Sequence, residues 1–532
     1  MLVASGILLS RILGLVRERV FAHYLGNSVA AAAFRAGQRI PNYLQNLFGE
    51  GVLSASFIPV YAGLLGRNER EAADKVAGAV FGLLSLVTTA LTAVGVLAAP
   101  LFVDLLTPGL DGETRTLAIA TVRIAFPGTG MLVLSAWCLG VLNSHRRFFL
   151  SYAAPVAWNG VLIAALLIFG PGQTPGQLAI SVTWAGVVGS LLQFAVQLPT
   201  VMGLLTHFRP TVRQLDAHVR QVLRSFGPIV VGRGVVQISA FVDGAVASLI
   251  SDRAYSALSY AQILYLLPIS LFGMAVSASE LPEMSRAAGA NVEVAANLRE
   301  RLGRGARRIA FFVVPSVVAL GLLGDVVGGA LLQTGKFGPA ETRYLWYLLM
   351  GSTVGLLAAT LGRLYASAFY AQKDTKTPLR YAIIRVALGG TLAFLLAVRL
   401  PPLLGIPPHL GAVFISAASG LAAWVEFWLL RRKLGKTIGA TGAPPTLLGR
   451  LWLAAAIAGV AGVAIKWGLT RTLGAQPEIA AEWGGWLLPA PLLHPIWTAL
   501  IVLGPFGLLY FGLTALLQVP ESQAVVRRVL RR

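Results

Sequence analysis

The chain has 532 residues, of which 56% are apolar and only 12% charged, and its mean hydropathy is +0.73. A water-soluble domain carries about twice that charge density, so a soluble enzyme is excluded, and the apolar content is far too high for a disordered chain. What remains is an all-α polytopic membrane protein. The single cysteine, Cys138, excludes a disulfide framework and any cysteine-based metal site. The net charge of +21 would point to nucleic acid in a soluble protein. Here it first raises the question of which side of a bilayer the cations occupy.

Taken in chain order, fourteen stretches are long and apolar enough to span: 2–25, 29–64, 74–105, 114–142, 149–170, 177–205, 225–251, 254–283, 306–333, 341–371, 378–399, 409–430, 450–470 and 494–518. Turn or charge signals bound them, such as Pro108-Gly109, Gly170-Pro171-Gly172 and Arg431-Arg432-Lys433. The runs are continuous, whereas barrel strands show short alternating segments. With the N-terminus in the cytoplasm, 27 of the 43 Lys and Arg fall in inside segments and six in outside ones (Arg115, Arg253, Lys336, Arg343, Arg399 and Arg471). The positive-inside rule then predicts both termini in the cytoplasm. The basic loops face an anionic leaflet, so no nucleic-acid partner is needed. Arg11 interrupts the first apolar run and no small-residue cleavage site follows, so that run is predicted to be a retained span.

Ten cations remain inside the predicted spans: Arg11, Arg17, Arg19, Arg35, Arg39, Arg123, Arg233, Arg363, Arg385 and Lys466. A cation at the bilayer centre costs roughly 3 kcal/mol. Arg19 and Lys466 are expected to snorkel, and Arg385 lies about two turns from a cytoplasmic end. The others need a protein or water environment. The second span is the clearest case. Arg35, Gln38, Asn42, Gln45 and Gly49 recur at spacings of three and four, which draws one polar stripe along one helical face. Such a stripe cannot face lipid. Pro41 and Gly49-Glu50-Gly51 are placed to bend or break that helix. The first span adds Arg11, Arg17 and Glu18, and the seventh adds Arg233, Gln237 and Asp243. Any single arginine is as well explained by pairing with a buried acid. The embedded acids identified, Glu18, Glu50, Asp243, Glu280 and Glu426, are outnumbered about two to one by the cations. A net-positive cavity is expected, and guanidinium suits bidentate phosphate.

The chain also repeats weakly at an offset of about 225. Ser54-Ala55-Ser56-x-x-Pro59 returns as Ser277-Ala278-Ser279-x-x-Pro282. Glu113-Thr114-Arg115 returns as Glu341-Thr342-Arg343, and Leu139-Gly140-x-Leu142 before Pro155 as Leu361-Gly362-x-Leu364 before Pro378. The repeat predicts two parallel six-helix lobes, 1–208 and 209–436, followed by a two-helix hairpin and basic tail, 437–532. The polar stripe has no cationic counterpart in the second copy, so substrate contacts are expected mainly in the first. Gly435-Lys436-Thr437 lacks the leading glycine of a phosphate-binding loop, and position 430 is Leu. The six histidines are scattered near span ends, so no metal role is expected. Nothing in the chain argues for catalysis.

Ser10-Arg11-Ile12-Leu13-Gly14-Leu15-Val16-Arg17-Glu18, Arg39-Ile40-Pro41-Asn42, and Phe48-Gly49-Glu50-Gly51 with Ser54, Phe57 and Pro59 resemble the MurJ/MviN family of lipid II flippases. Tyr260-Ala261-Gln262, Leu281-Pro282 and Lys373-Asp374-x-Lys376-Thr377-Pro378 extend the resemblance over nearly the whole chain. It implies fourteen helices in two six-helix lobes, the last two helices forming a lipid-facing groove. It implies movement of an undecaprenyl-pyrophosphate-linked peptidoglycan precursor from the inner to the outer leaflet of the bacterial cytoplasmic membrane. Membrane potential or an ion gradient would drive resetting, so a coupling cation is the one cofactor in view, and cell-wall synthesis proteins are the implied partners. By the same resemblance Arg11 and Arg17 match functional arginines, Arg39 a basic position before Pro-Asn, and Glu50 an acid between small residues. Ala32, Gln45 and Ile263 stand where many members carry charge, and Arg35 and Arg233 are the candidates for replacement charge. The expected substrate-binding set is Arg11, Arg17, Arg35, Arg39, Asn42, Gln45 and Arg233, with Pro41, Glu50 and Asp243 in gating or structural roles. Two alternatives stay open: a flippase for another polyprenyl-pyrophosphate oligosaccharide, and a non-transporting envelope scaffold.

Overall fold

The computed structural model describes residues 2–212, 216–274, 276–277, 280, 284, 292–372, 374–476 and 490–523, and the fold they form is helical. The first helices are α1 (Leu2–Leu25), α2 (Val29–Phe48), α3 (Glu50–Gly66), α4 (Arg70–Leu97), α5 (Ala99–Leu106), α6 (Gly112–Ser144), α7 (Phe148–Phe169), α8 (Pro175–Leu204), α9 (Ala217–Ile250) and α10 (Asp252–Pro268). A π-helical turn, Ile269–Met274, extends α10. There follow α11 (Val292–Leu332), α12 (Pro339–Ala371), α13 (Lys376–Phe394), α14 (Gly411–Ile438), α15 (Pro445–Leu473) and α16 (Pro495–Leu516). Among the described residues, 12 stretches are long and apolar enough to cross a bilayer, with α2 and α3 counted as one. Helices α1 and α9 are 24 and 34 residues long but carry ionisable groups in mid-length. Adding them gives the expected number of about fourteen.

The break predicted in the second span is present. Helix α2 stops at Gly49, whose φ of −87° and ψ of −149° are not helical, and α3 restarts at Glu50. Pro41 lies inside α2. Between α1 and α2 the chain turns at Gly26, with φ of +58°, where a Cβ would lie 2.7 Å from the Lys336 carbonyl oxygen.

Two compact units divide the chain. The first comprises residues 1–256 with 334–336, and the second residues 257–333 with 337–532. Helix α9, which the repeat assigns to the second copy, therefore packs with the first unit, against α2 and α3. Helices α6 and α12, equivalent in the repeat, are both 33 residues long. The second Ser-Ala-Ser copy falls largely outside the described residues, at Ala278 and Ser279.

In the first unit α6 is central, packing on α2, α4 and α8, while α1 packs on α7. Close approach of α2 and α6 is fixed by Thr121, whose hydroxyl donates to the Ala33 carbonyl at 2.9 Å. In the second unit α12 is central, against α11 and α14. Gly355 and Gly420 meet backbone to backbone there, so a Cβ on either would collide with the other helix.

The C-terminal hairpin, α15 with α16, packs on α11. Lys466 does not snorkel, contrary to expectation. It is 1% exposed and ion-paired with Asp325 of α11, an acid that the sequence reading left out of the embedded set. The ammonium also lies 4.8 Å from the centre of the Trp346 ring. Burial removes water as a partner, so both charges depend on each other. Tyr510 adds a hydrogen bond to the Phe311 carbonyl at 2.6 Å, and Arg307 pairs with Glu521 at 3.3 Å. Arg385, close to a predicted end, pairs instead with Glu426 at 3.0 Å. Lys466→Met or Asp325→Asn alone is expected to lower stability by about 3–5 kcal/mol, and Lys466→Met with Asp325→Leu by much less. Thermal unfolding in detergent measures this, and additive losses would show the pair to be uncoupled.

Candidate functional site

The arginines of the polar stripe meet partners on α1 and α9 and at Tyr255 in the first turn of α10, all within the first unit, which ends at Ser256. Glu18 of α1 is 3% exposed and is held by two arginines. Arg17 Nη2 contacts Glu18 Oε1 at 2.5 Å, and Arg35 Nη2 on α2 contacts Oε2 at 2.5 Å. Arg35 Nη1 adds a bond of 3.4 Å to Oε1. One carboxylate thus serves two guanidiniums, and one positive charge is left in excess. The Arg17 side chain is 23% exposed and that of Arg35 12%, so part of each arginine side chain is open while the acid is not.

The surroundings fix both arginines. Arg17 Nη1 donates to Asn159 Oδ1 at 3.1 Å, and Asn159 Nδ2 donates to the Pro155 carbonyl at 3.0 Å. A proline at 159 minus four residues has the same carbonyl any helix offers, and here the amide side chain takes it as an anchor. Arg17 also stacks over Trp158 at 4.9 Å, while Trp158 Nε1 donates to the Gly186 carbonyl of α8 at 3.1 Å. Arg35 lies 4.6 Å from the Phe21 ring centre. Sequence reasoning missed Asn159, Trp158 and Phe21. Asn159 could have been found, as the only amide side chain in the seventh helix.

One helical turn beyond Arg35, Arg39 is half-buried over the Tyr255 ring at 5.7 Å. A Cβ on Gly244 of α9 would sit 3.2 Å from Arg39 Nη1, so the missing side chain there makes room for the guanidinium. Helix α2 buries its alanine face completely, with Ala31, Ala32, Ala33 and Ala36 at 0% exposure. Arg35, Gln38, Asn42 and Gln45 are half-buried, and Pro41 is buried. Asp243 is half-buried on α9 beside Gly244. The stripe is therefore real as a face: the small residues pack, and the polar ones line the open side. Lipid cannot solvate that side, so it must be wet.

Arg11, further toward the N-terminus of α1, is exposed, and the two arginines bonded to Glu18 are Arg17 and Arg35. The side chains of Arg233 and Glu50 lie outside what is described. Among the described residues no group of three His, Cys, Asp or Glu side chains gathers as a metal site.

Fold and site together define a polytopic α-helical membrane protein with a cationic, water-requiring face inside its spans. The family profile described as lipid II flippase MurJ matches residues 21–476, and the chain belongs to that family. A probable lipid II flippase MurJ of Rhizobium meliloti (strain 1021) is 32% identical over 474 residues, 86% of this chain and 84% of that protein. The lipid II flippase MurJ of Burkholderia cenocepacia is 32% identical over 391 residues, 72% of this chain and 75% of that protein. The solved structure of lipid II flippase MurJ in an inward closed conformation superposes with a TM-score of 0.76 at 23% identity, covering 100% of both chains. An inward-facing multidrug resistance MATE transporter of the MOP superfamily gives 0.64 at 18% identity, over 80% of this chain and 95% of that one. These two structural likenesses show the fold.

Proposed function

We propose that this protein flips lipid II, the undecaprenyl-pyrophosphate-linked peptidoglycan precursor, from the inner to the outer leaflet of the bacterial cytoplasmic membrane. The observation that carries the reading is the sharing of one buried carboxylate, Glu18, by Arg17 and Arg35, with Arg39 on the next turn of α2. Family membership supports the substrate class. The distribution of Lys and Arg supports a cytoplasmic location for both termini.

The chemistry follows from the charges. A pyrophosphate headgroup brings negative charge that lipid cannot solvate, while its polyprenyl tail is at home in lipid. Partly exposed guanidiniums give the phosphates bidentate partners along the polar face. Glu18 keeps Arg17 and Arg35 from collapsing onto other acids and holds their forks oriented. The amides of Asn42 and Gln45 continue the stripe with neutral donors and acceptors suited to sugar and peptide groups. Alternating access of the cationic cavity moves the headgroup, and no covalent step on the substrate is needed, so the protein acts as a transporter rather than an enzyme. A gradient-coupled cation would supply the resetting step.

Rescue of a bacterial strain depleted of its own lipid II flippase tests the reading, with the leaflet accessibility of lipid II as readout. Restored growth with lipid II exposed on the outer leaflet is expected. Failure to expose lipid II, despite membrane expression, would overturn the assignment.

A further inference from the structure

The C-terminal end of α14 carries a second basic feature that the flipping reading does not use. Along one face of this helix the side chains change in order. Val425 and Trp428, 36% and 56% exposed, come first, then Arg431 and Arg432, then Gly435. Val425, Trp428, Arg432 and Gly435 are separated by three or four residues and so lie in a row, with Arg431 beside Arg432 at its edge. With Thr441 from the following loop they line an open cavity of about 550 Å³. Its far wall is fixed, because Tyr365 donates a hydrogen bond to the Thr441 hydroxyl at 3.0 Å.

Asp374 lies near Lys433 at this end, but among the described residues no acid pairs with Arg431 or Arg432. The one carboxylate of α14, Glu426, is paired with Arg385. Among the described residues neither Arg431 nor Arg432 makes an ion pair, and the Arg431 guanidinium rests at 5.4 Å from the Trp428 ring centre. A Cβ on Gly435 would meet nothing within 4 Å, so a larger side chain there would enter the open space. Apolar wall, interfacial tryptophan and paired guanidiniums follow the order of a phospholipid read from acyl chain to phosphate. The volume is that of a small-ligand site. By the positive-inside distribution this end faces the cytoplasmic leaflet, where anionic lipids reside.

We propose that this cavity is a binding site for an anionic glycerophospholipid. Arg431 and Arg432 take its phosphate, and Val425 and Trp428 take the upper acyl chain.

Native mass spectrometry of the full chain in detergent micelles, with phosphatidylglycerol or phosphatidylcholine added, tests the site. Retention of phosphatidylglycerol over phosphatidylcholine is expected. It should fall about tenfold in Arg431→Gln/Arg432→Gln, which loses two charge-assisted contacts. It should fall comparably in Gly435→Phe, which fills the cavity with every cation kept and no atom in the way of its Cβ. Arg146→Gln/Arg147→Gln, a basic pair in another loop, should leave retention unchanged. Wild-type retention in the Gly435 variant, or equal loss in the Arg146/Arg147 variant, would overturn the proposal in favour of unspecific charge. Full displacement of phosphatidylglycerol by millimolar inorganic phosphate would overturn it in favour of a free-anion site.

Discussion

Glu18→Leu is expected to destabilise the protein by about 3–5 kcal/mol, the loss typical when one member of a buried ion pair is removed. The reason is specific to the shared geometry. Arg17 and Arg35 both turn to this one carboxylate. Without it, two like-charged guanidiniums lie close together with no carboxylate between them. Arg17 would keep Asn159 and Trp158, and Arg35 its aromatic contact with Phe21, but both would lose the carboxylate they share. The double variant Glu18→Leu/Arg35→Leu should therefore recover much of the lost stability, because it removes the stranded charge together with its partner. It should not recover transport. Unfolding midpoints in detergent and complementation in cells separate the two effects. A double variant as unstable as Glu18→Leu alone would mean that Arg35 is not coupled to Glu18.

The second large effect is on transport itself. Replacing Arg11, Arg35 and Arg39 together by Gln is expected to abolish flipping, by at least about a hundredfold if each guanidinium makes one charge-assisted bond to the headgroup. Each residue is at least partly exposed, and Arg17 still holds Glu18, so the fold should survive. A scaffold without transport would be indifferent to this change, because a scaffold has no use for a wet cationic face. Normal unfolding with lost complementation is the expected pair of results. Retained complementation would return the scaffold reading.

Much of this was legible before any coordinates. Composition alone gave a helical membrane protein. The spacing of Arg35, Gln38, Asn42 and Gln45 marked the polar face, and Gly49 marked the break that ends α2. Both are local, set by helical period and backbone preference, and so visible in one sequence. Pairing across helices was not. In the sequence Glu18 is one acid among several, and nothing local says that an arginine 17 residues on bonds to it or that its neighbour Arg17 bonds to an asparagine 142 residues away. Asp325 stands in an otherwise apolar span and Lys466 near the end of a helix, so neither announces its partner in the sequence. Long-range contact decided both. The packing of α9 with the first unit, against the period of the repeat, is of the same kind.

The central claim is that the guanidiniums gathered on α1 and α2 carry a pyrophosphate headgroup across the membrane. Its most direct test is lipid II translocation in proteoliposomes reconstituted with the wild-type chain or the Arg11/Arg35/Arg39 triple-Gln variant, read as the fraction of lipid II reaching the opposite leaflet. The wild type should equilibrate lipid II between leaflets while the variant, inserted to the same level, stays at the rate of protein-free vesicles. Equal translocation by both proteins would contradict the account.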